Sequence, residues 1–195
     1  MSSLFNTDLV ITCYLSGYFP MADSDDGRIY WHFPDPRAIF DIYNTKIPRS
    51  IRTLYNSSKY YYRIDTEFEK VITYCSERET TWINQEIIDV YCELNKLGFA
   101  HSVEVYNQNH ELVGGLYGVA IGGAFFGESM FNKEPNTAKL AFVKLIEILR
   151  DKKFLLLDSQ YINNFTKQLG AFEISADEYL KILQIAIRVD TNFKT

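Results

Sequence analysis

The chain has 195 residues, 47% hydrophobic and 23% charged, a composition that excludes a disordered or low-complexity protein and suits one core or a core with a small accessory unit. A formal charge of −5 excludes a global attraction for nucleic acid, so a partner of that kind must be held by a local basic patch. Aromatics are in surplus, with 14 Tyr, 14 Phe and 2 Trp, which suits a cleft that stacks rings or bases.

Residues 1–45 are punctuated by Gly17, Pro20, a polar run at 23–27, Pro34 and Pro36, and read as a small loop-rich unit; residues 46–195 are more regular and read as the main domain. The apolar stretch at 9–15 lacks the basic flank of a secretory signal, since no Lys or Arg precedes Arg28. No apolar run approaches the roughly 18 residues that span a bilayer, so a cytoplasmic protein without membrane contact is expected. Cys13, Cys75 and Cys92 are odd in number and show no CxxC spacing, which predicts reduced, buried thiols and no metal site.

Thr66 with Glu69 forms a capping-box pattern ahead of Phe68, Val71, Ile72 and Cys75, which predicts a short amphipathic helix. Asn84 is placed to cap a second helix carrying Ile87, Ile88, Tyr91, Leu94 and Leu97, and Gly98 stands where a left-handed terminator belongs. Alternation at 101–106, a polar turn at 107–110 and Gly-spaced apolar runs at 111–121 and 124–130 predict an antiparallel meander. Asn136 is expected to cap a helix with Ala138, Ala141, Phe142, Leu145 and Leu149, followed by a buried strand at 154–157. Ser175 with Glu178 opens the last helix. The order is that of an α+β or mixed α/β fold.

Glycines at 114, 115, 118, 122, 123 and 127 either leave room for a ligand near the backbone or mark bulges and core packing. Glu128 stands in apolar surroundings, where a carboxylate needs a donor or a cation, and a bound ammonium is one answer. Asp158 ends the buried strand and Gln160 follows at i+2, so both are expected to face one cleft, or else Asp158 caps a turn.

At these residues the chain resembles the leucyl/phenylalanyl-tRNA–protein transferase family. The similar blocks are GYFPM at 17–21, PDPRAIF at 34–40, TWI at 81–83, LGFAHSVEVY at 97–106, LVGGLYGVAIGGAFFGESMF at 112–131, AKLA at 138–141, DSQ at 158–160 and LGAFEI at 169–174. The resemblance implies an acetyltransferase-like (GNAT) domain with a mainly antiparallel sheet flanked by helices. It implies transfer of Leu or Phe, less readily Met, from aminoacyl-tRNA to proteins beginning with Arg or Lys, which marks them for degradation by the N-degron pathway. The aminoacyl ester is already activated, so no cofactor is required, and a monomer is expected.

On the same resemblance, Asp158, Gln160 and Glu128 are the catalytic group. Asp158 orients the Gln160 amide, the Gln160 carbonyl accepts from the attacking amine, and Glu128 holds a substrate amine. Leu116, Phe125, Met130, Phe142 and Leu157 match the aminoacyl pocket, and Trp31 and Trp82 match the aromatics that sandwich the terminal adenine. Lys46, Arg49, Arg52, Lys59 and Arg63, five cations in eighteen residues, match the basic cluster for tRNA. The chain departs from the pattern in its shorter N-terminal unit, in His32 and Phe33 beside Trp31, in DSQ for DCQ, and in Phe165 where a His is usual. Two other readings follow from the same residues: an acyl-CoA-dependent N-acetyltransferase, disfavoured because 132–139 holds no glycine, and a noncatalytic tRNA- or degron-binding descendant, disfavoured because Glu128, Asp158 and Gln160 are all present.

Overall fold

The computed structural model describes residues 5–78 and 80–194. Residues 1–4 of the expected N-terminal unit lie outside them.

Asn6 caps α1 (Thr7–Leu15) through a bond from the Leu9 amide to its side chain, and Gly17, with φ +85°, turns the chain into a hairpin of β1 (Phe19–Ala22) and β2 (Ile29–His32). β3 (Arg37–Phe40) follows at once. Although it falls inside the 1–45 unit of the sequence reading, it pairs with two strands of the large sheet, so hydrogen bonding ties residues 37–40 to the main body.

α2 (Arg49–Tyr55), β4 (Tyr60–Ile64), α3 (Phe68–Ser76) and α4 (Gln85–Lys96) lead to the expected meander of β5 (Ala100–Asn107), β6 (Leu112–Ile121) and β7 (Ala124–Asn132). α5 (Thr137–Asp151), β8 (Leu156–Gln160), α6 (Asn164–Gln168), β9 (Phe172–Ile174) and α7 (Ala176–Ala186) complete the chain. The large sheet runs β4-β5-β6-β7-β8-β3-β9, antiparallel except for the β7/β8 pair, in agreement with the expected α+β class. α1, α3, α4 and α7 supply apolar residues to the core on one face and α2 and α5 to the core on the other, where each fully buried Leu or Phe contributes about 1.5–3 kcal/mol.

Asn84 accepts from the Ile87 amide, Gly98 terminates α4 at φ +83°, and Ser175 with Glu178 forms the reciprocal cap of α7, all as expected. Two caps differ. The start of α3 is held by buried Glu104, whose Oε1 accepts from the amides of Thr66 and Glu67 at 2.8 Å each, and no side chain of the Thr66–Glu69 pattern caps it. Asn136 adopts a left-handed conformation and makes no side-chain cap; the nearby Thr137 hydroxyl donates instead to the carbonyls of Val113 and Glu134.

The buried strand begins two residues later than expected, with Leu155 exposed and pairing carried on through Gln160. Of the three free thiols only Cys75 is fully buried, Cys13 and Cys92 being half-buried. Among the described residues, no helix is long and apolar enough to cross a membrane.

Candidate active site

β7 and β8 pair only from Ala124–Leu156 to Phe126–Asp158 and then part, and the gap between them opens a cavity of about 350 Å³, a volume within the range of small-molecule sites. Each strand carries a bulge at the parting. Tyr117 pairs with Ser129 and Gly118 with Gly127, which leaves Glu128 as the extra residue of β7. On β8, Ala38 pairs with Gln160 and Ile39 with Asp158, which leaves Ser159 as the extra residue. A bulge breaks the two-residue alternation and re-aims the neighbouring side chains. Gln160 adds a left-handed backbone, φ +64°, a conformation that costs a non-glycine residue on the order of 1 kcal/mol or more.

Asp158 and Gln160 both line the cavity, as expected, but the bulge between them gives the two side chains different tasks. Asp158 is fully buried and spends both oxygens: Oδ1 accepts from Arg37 Nε at 2.9 Å and from the Gln160 amide N–H at 2.8 Å, and Oδ2 from Arg37 Nη2 at 2.6 Å and the Tyr179 hydroxyl at 2.7 Å. It thus caps the turn and fixes the Gln160 backbone, and it does not touch the Gln160 side-chain amide as the sequence reading had it. Arg37 is fully buried too, donates Nη1 to the Gly17 carbonyl at 2.9 Å, and lies over the rings of Phe19 and Tyr179. Burial works against its charge, but the Asp158 carboxylate prevails and holds the guanidinium above its ordinary pKa. One arginine thereby fastens the N-terminal hairpin to the strand that bears Gln160.

Glu128 sits at the polar end of the cavity. Its Oε1 accepts from the Tyr14 hydroxyl at 2.6 Å and from Gln160 Nε2 at 2.8 Å, whereas Oε2 has only the Tyr91 hydroxyl at 3.5 Å. The hydroxyls of Tyr14 and Tyr91 are bonded to each other. Because its Nε2 is committed to Glu128, the Gln160 amide carbonyl remains available as an acceptor. Burial pushes the Glu128 carboxyl up to about 8, and the Asp158 charge adds to the rise against the lowering effect of the Tyr14 and Gln160 bonds. Burial and the same carboxylate raise the Tyr14, Tyr91 and Tyr117 phenols well above their usual range.

Of the apolar candidates, Leu116, Met130, Phe142 and Leu157 line the cavity together with Phe40 and Leu145. Phe125 does not; it is fully buried and packs on Phe193, with ring centroids 5.1 Å apart. Trp82 stands with Met21 where the cavity meets an outer groove flanked by Tyr30 and His32. Trp31 lines neither space, because β2 alternation turns it away from Tyr30 and His32 and it packs near Phe5, with centroids 5.9 Å apart.

The basic cluster is divided. Lys46, Arg49 and Arg52 are exposed on and before α2, and Lys59 lies 3.7 Å from Glu134. Arg63 lies over Tyr61 and Tyr106, which belong to the opposite face of the sheet from the α2 packing, and β4 is three strands from β7, roughly 14 Å.

Sequence reading missed Arg37, Tyr14, Tyr91, Tyr179 and Arg78. Arg78 lines the cavity mouth and donates to Ser129 Oγ at 3.3 Å and to the Met130 carbonyl. The glycines serve the packing more than a ligand: a Cβ on Gly114 meets Thr137 at 2.4 Å and one on Gly118 meets the Phe126 carbonyl at 2.3 Å, while Gly127 alone of the six borders the cavity.

Residues 39–184 match the sequence pattern of the family described as leucyl/phenylalanyl-tRNA protein transferase, and residues 4–35 match the pattern of that family's N-terminal domain. A relative from Prosthecochloris aestuarii, named leucyl/phenylalanyl-tRNA–protein transferase, is 44% identical over 97% of this chain and 100% of its own length. One of the same name from Rubrobacter xylanophilus is 42% identical over 95% of this chain and 97% of its own. Among solved structures, that of L-PGS from Bacillus licheniformis aligns with a TM-score of 0.50 at 14% identity, covering 78% of this chain and 65% of that one, a likeness of fold alone.

Proposed function

The chain belongs to the leucyl/phenylalanyl-tRNA–protein transferase family, and on that premise we propose that its cleft transfers Leu or Phe from aminoacyl-tRNA to the terminal amine of proteins beginning with Arg or Lys, marking them for degradation. The observation that carries this reading is one cavity with an apolar end, at Leu116, Met130, Phe142 and Leu157, and a polar end, at Glu128 and Gln160.

The aminoacyl side chain fills the apolar end. Burying a Leu or Phe side chain there contributes about 1.5–3 kcal/mol, enough to select large apolar residues over small or polar ones. The terminal adenine rests at the mouth on Trp82, beside Met21, and stacking adds roughly 1–3 kcal/mol. Arg49 and Arg52, with Lys46, offer the phosphate-binding surface that a chain of net charge −5 needs locally.

An ester is already activated for aminolysis, so the protein has to bring two substrates together and manage the protons of the amine. The Gln160 carbonyl aligns the amine. Asp158 is a positioning residue that acts through the Gln160 backbone, and Arg37 and Tyr179 hold it there. Purified protein mixed with labelled Phe-tRNA or Leu-tRNA and an Arg-initiated peptide tests the reading. The native chain labels the peptide and Gln160→Ala and Glu128→Ala lose most of the rate; absence of transfer with every donor and acceptor pairing refutes it.

A further inference from the structure

We infer that Glu128, through its Oε2, is the group that takes the proton from the acceptor's terminal ammonium, a role that rests on the reading of the cleft as an aminoacyl-transfer site. Asp158 accepts four hydrogen bonds, two at each oxygen, is fully buried, and has no lone pair left to receive a proton. Gln160 is a neutral amide, far too weak a base for an ammonium whose pKa is about 8. Glu128 is the remaining carboxylate on the cavity wall. Its Oε1 is filled by Tyr14 and Gln160, and its Oε2, with one long contact from Tyr91, is open.

The bulge places Glu128 at the same end of the cavity as Gln160, whose Nε2 donates to it, so an amine held by the Gln160 carbonyl lies beside the carboxylate. The groups that face Glu128 are Tyr14 from α1, Tyr91 from α4, Tyr117 from β6, Asp158 and Gln160 from β8, and Arg37 from β3. Together they leave the carboxyl with a proton affinity close to that of a terminal amine, the condition under which a proton moves between the two at little cost.

The step balances. The ammonium gives one proton to Oε2, and its freed lone pair attacks the ester carbonyl carbon to form the N–C bond. The C–O bond then breaks as the second nitrogen proton goes to the departing ribose oxygen. Glu128 afterwards releases its proton to solvent, and the products are an amide and a free tRNA 3′ end.

Kinetics of Glu128→Gln, which keeps the shape and the bonds to Tyr14 and Gln160, test the assignment. With Phe-tRNA and a saturating Arg-initiated peptide, kcat falls about 10²–10³-fold while the peptide KM stays within about threefold. The second arm uses the same peptide with an α-aminooxy group in place of the α-amine, whose nitrogen is already the neutral –NH2 form at neutral pH and has no ammonium proton to give up; there the variant recovers to within about tenfold of the native rate. A thermal melt confirms that the variant is folded. An equal loss with both peptides, or a loss confined to KM, shows that Glu128 only binds an amine and overturns the inference alone. A native enzyme that transfers to neither peptide overturns the reading of the function.

Discussion

Two carboxylates flank the same cleft, one on β8 and one on β7, and they are built in opposite ways. Asp158 is surrounded by four donors, among them a fully buried arginine that reaches it twice. Glu128 has two donors on one oxygen and an almost empty second oxygen. Glu104, under the start of α3, belongs with Asp158: the amides of Thr66 and Glu67 and the hydroxyls of Ser102 and Tyr106 all donate to it. A carboxylate whose lone pairs are all taken organises backbone and neighbours. One left short of donors is costly to ionise and keeps an oxygen for chemistry.

The sharpest way to break this comparison is to make the same chemical change at both sites and compare the signs. Asp158→Asn leaves the buried Arg37 charge uncompensated, so urea unfolding is expected to show a loss of about 3–5 kcal/mol. Glu128→Gln has the opposite effect above neutral pH. The carboxyl has an ordinary value of 4.5 and is pushed up to about 8 in the fold, so between those values the unfolded chain sheds its proton while the folded chain keeps it. Native stability accordingly falls as pH rises from about 4.5 to 8, and the variant escapes that loss. Its melting temperature should exceed the native one by roughly 4–10 °C at pH 8.5, corresponding to about 2–3 kcal/mol, and by little at pH 5. Equal effects at both pH values contradict the assignment of an unpaid ionisation cost to Glu128.

A smaller effect separates the two tryptophans. Trp82→Ala is expected to raise KM for aminoacyl-tRNA by about 5–150-fold, the equivalent of roughly 1–3 kcal/mol of stacking, whereas Trp31→Phe leaves KM within about twofold because Trp31 does not line the cleft. Smallest is the contrast within the basic cluster. Replacing Arg49 and Arg52 together by Ala weakens tRNA binding and flattens its salt dependence by about one to two phosphate contacts, while Arg63→Ala, on the far face of β4, changes neither by more than about twofold.

The sequence was informative where the determinants are local. Asn84 and Gly98 bound α4 through contacts within a few residues, Ser175 and Glu178 cap each other, and alternation with Gly-spaced runs marks the β5–β7 meander. It failed where a distant partner replaces the local one. The α3 start looks like a capping box, yet Glu104, nearly forty residues on, provides the acceptor.

The site shows the same division. Glu128, Asp158 and Gln160 were identifiable as misplaced polar groups beside apolar strands, and Asp158 and Gln160 do line one cavity, but simple alternation gave no sign of the Ser159 bulge or of the left-handed Gln160 backbone that Asp158 holds. Tyr91 reads as part of an amphipathic stripe, and so it is; its hydroxyl reaches Glu128 only because α4 packs beside α1 on the same face of the sheet. Arg37 carries no local signal beyond the weak PDPR block, since its importance lies in being buried.

The most direct test of the account is a single-turnover reaction of the native protein with Phe-tRNA labelled in the amino acid and an Arg-initiated peptide, followed by mild alkali, which cleaves the aminoacyl ester and spares an amide. Alkali-stable label is expected on the peptide, formed at the rate at which the ester disappears. Ester loss that yields free phenylalanine, with no label on the peptide, contradicts it.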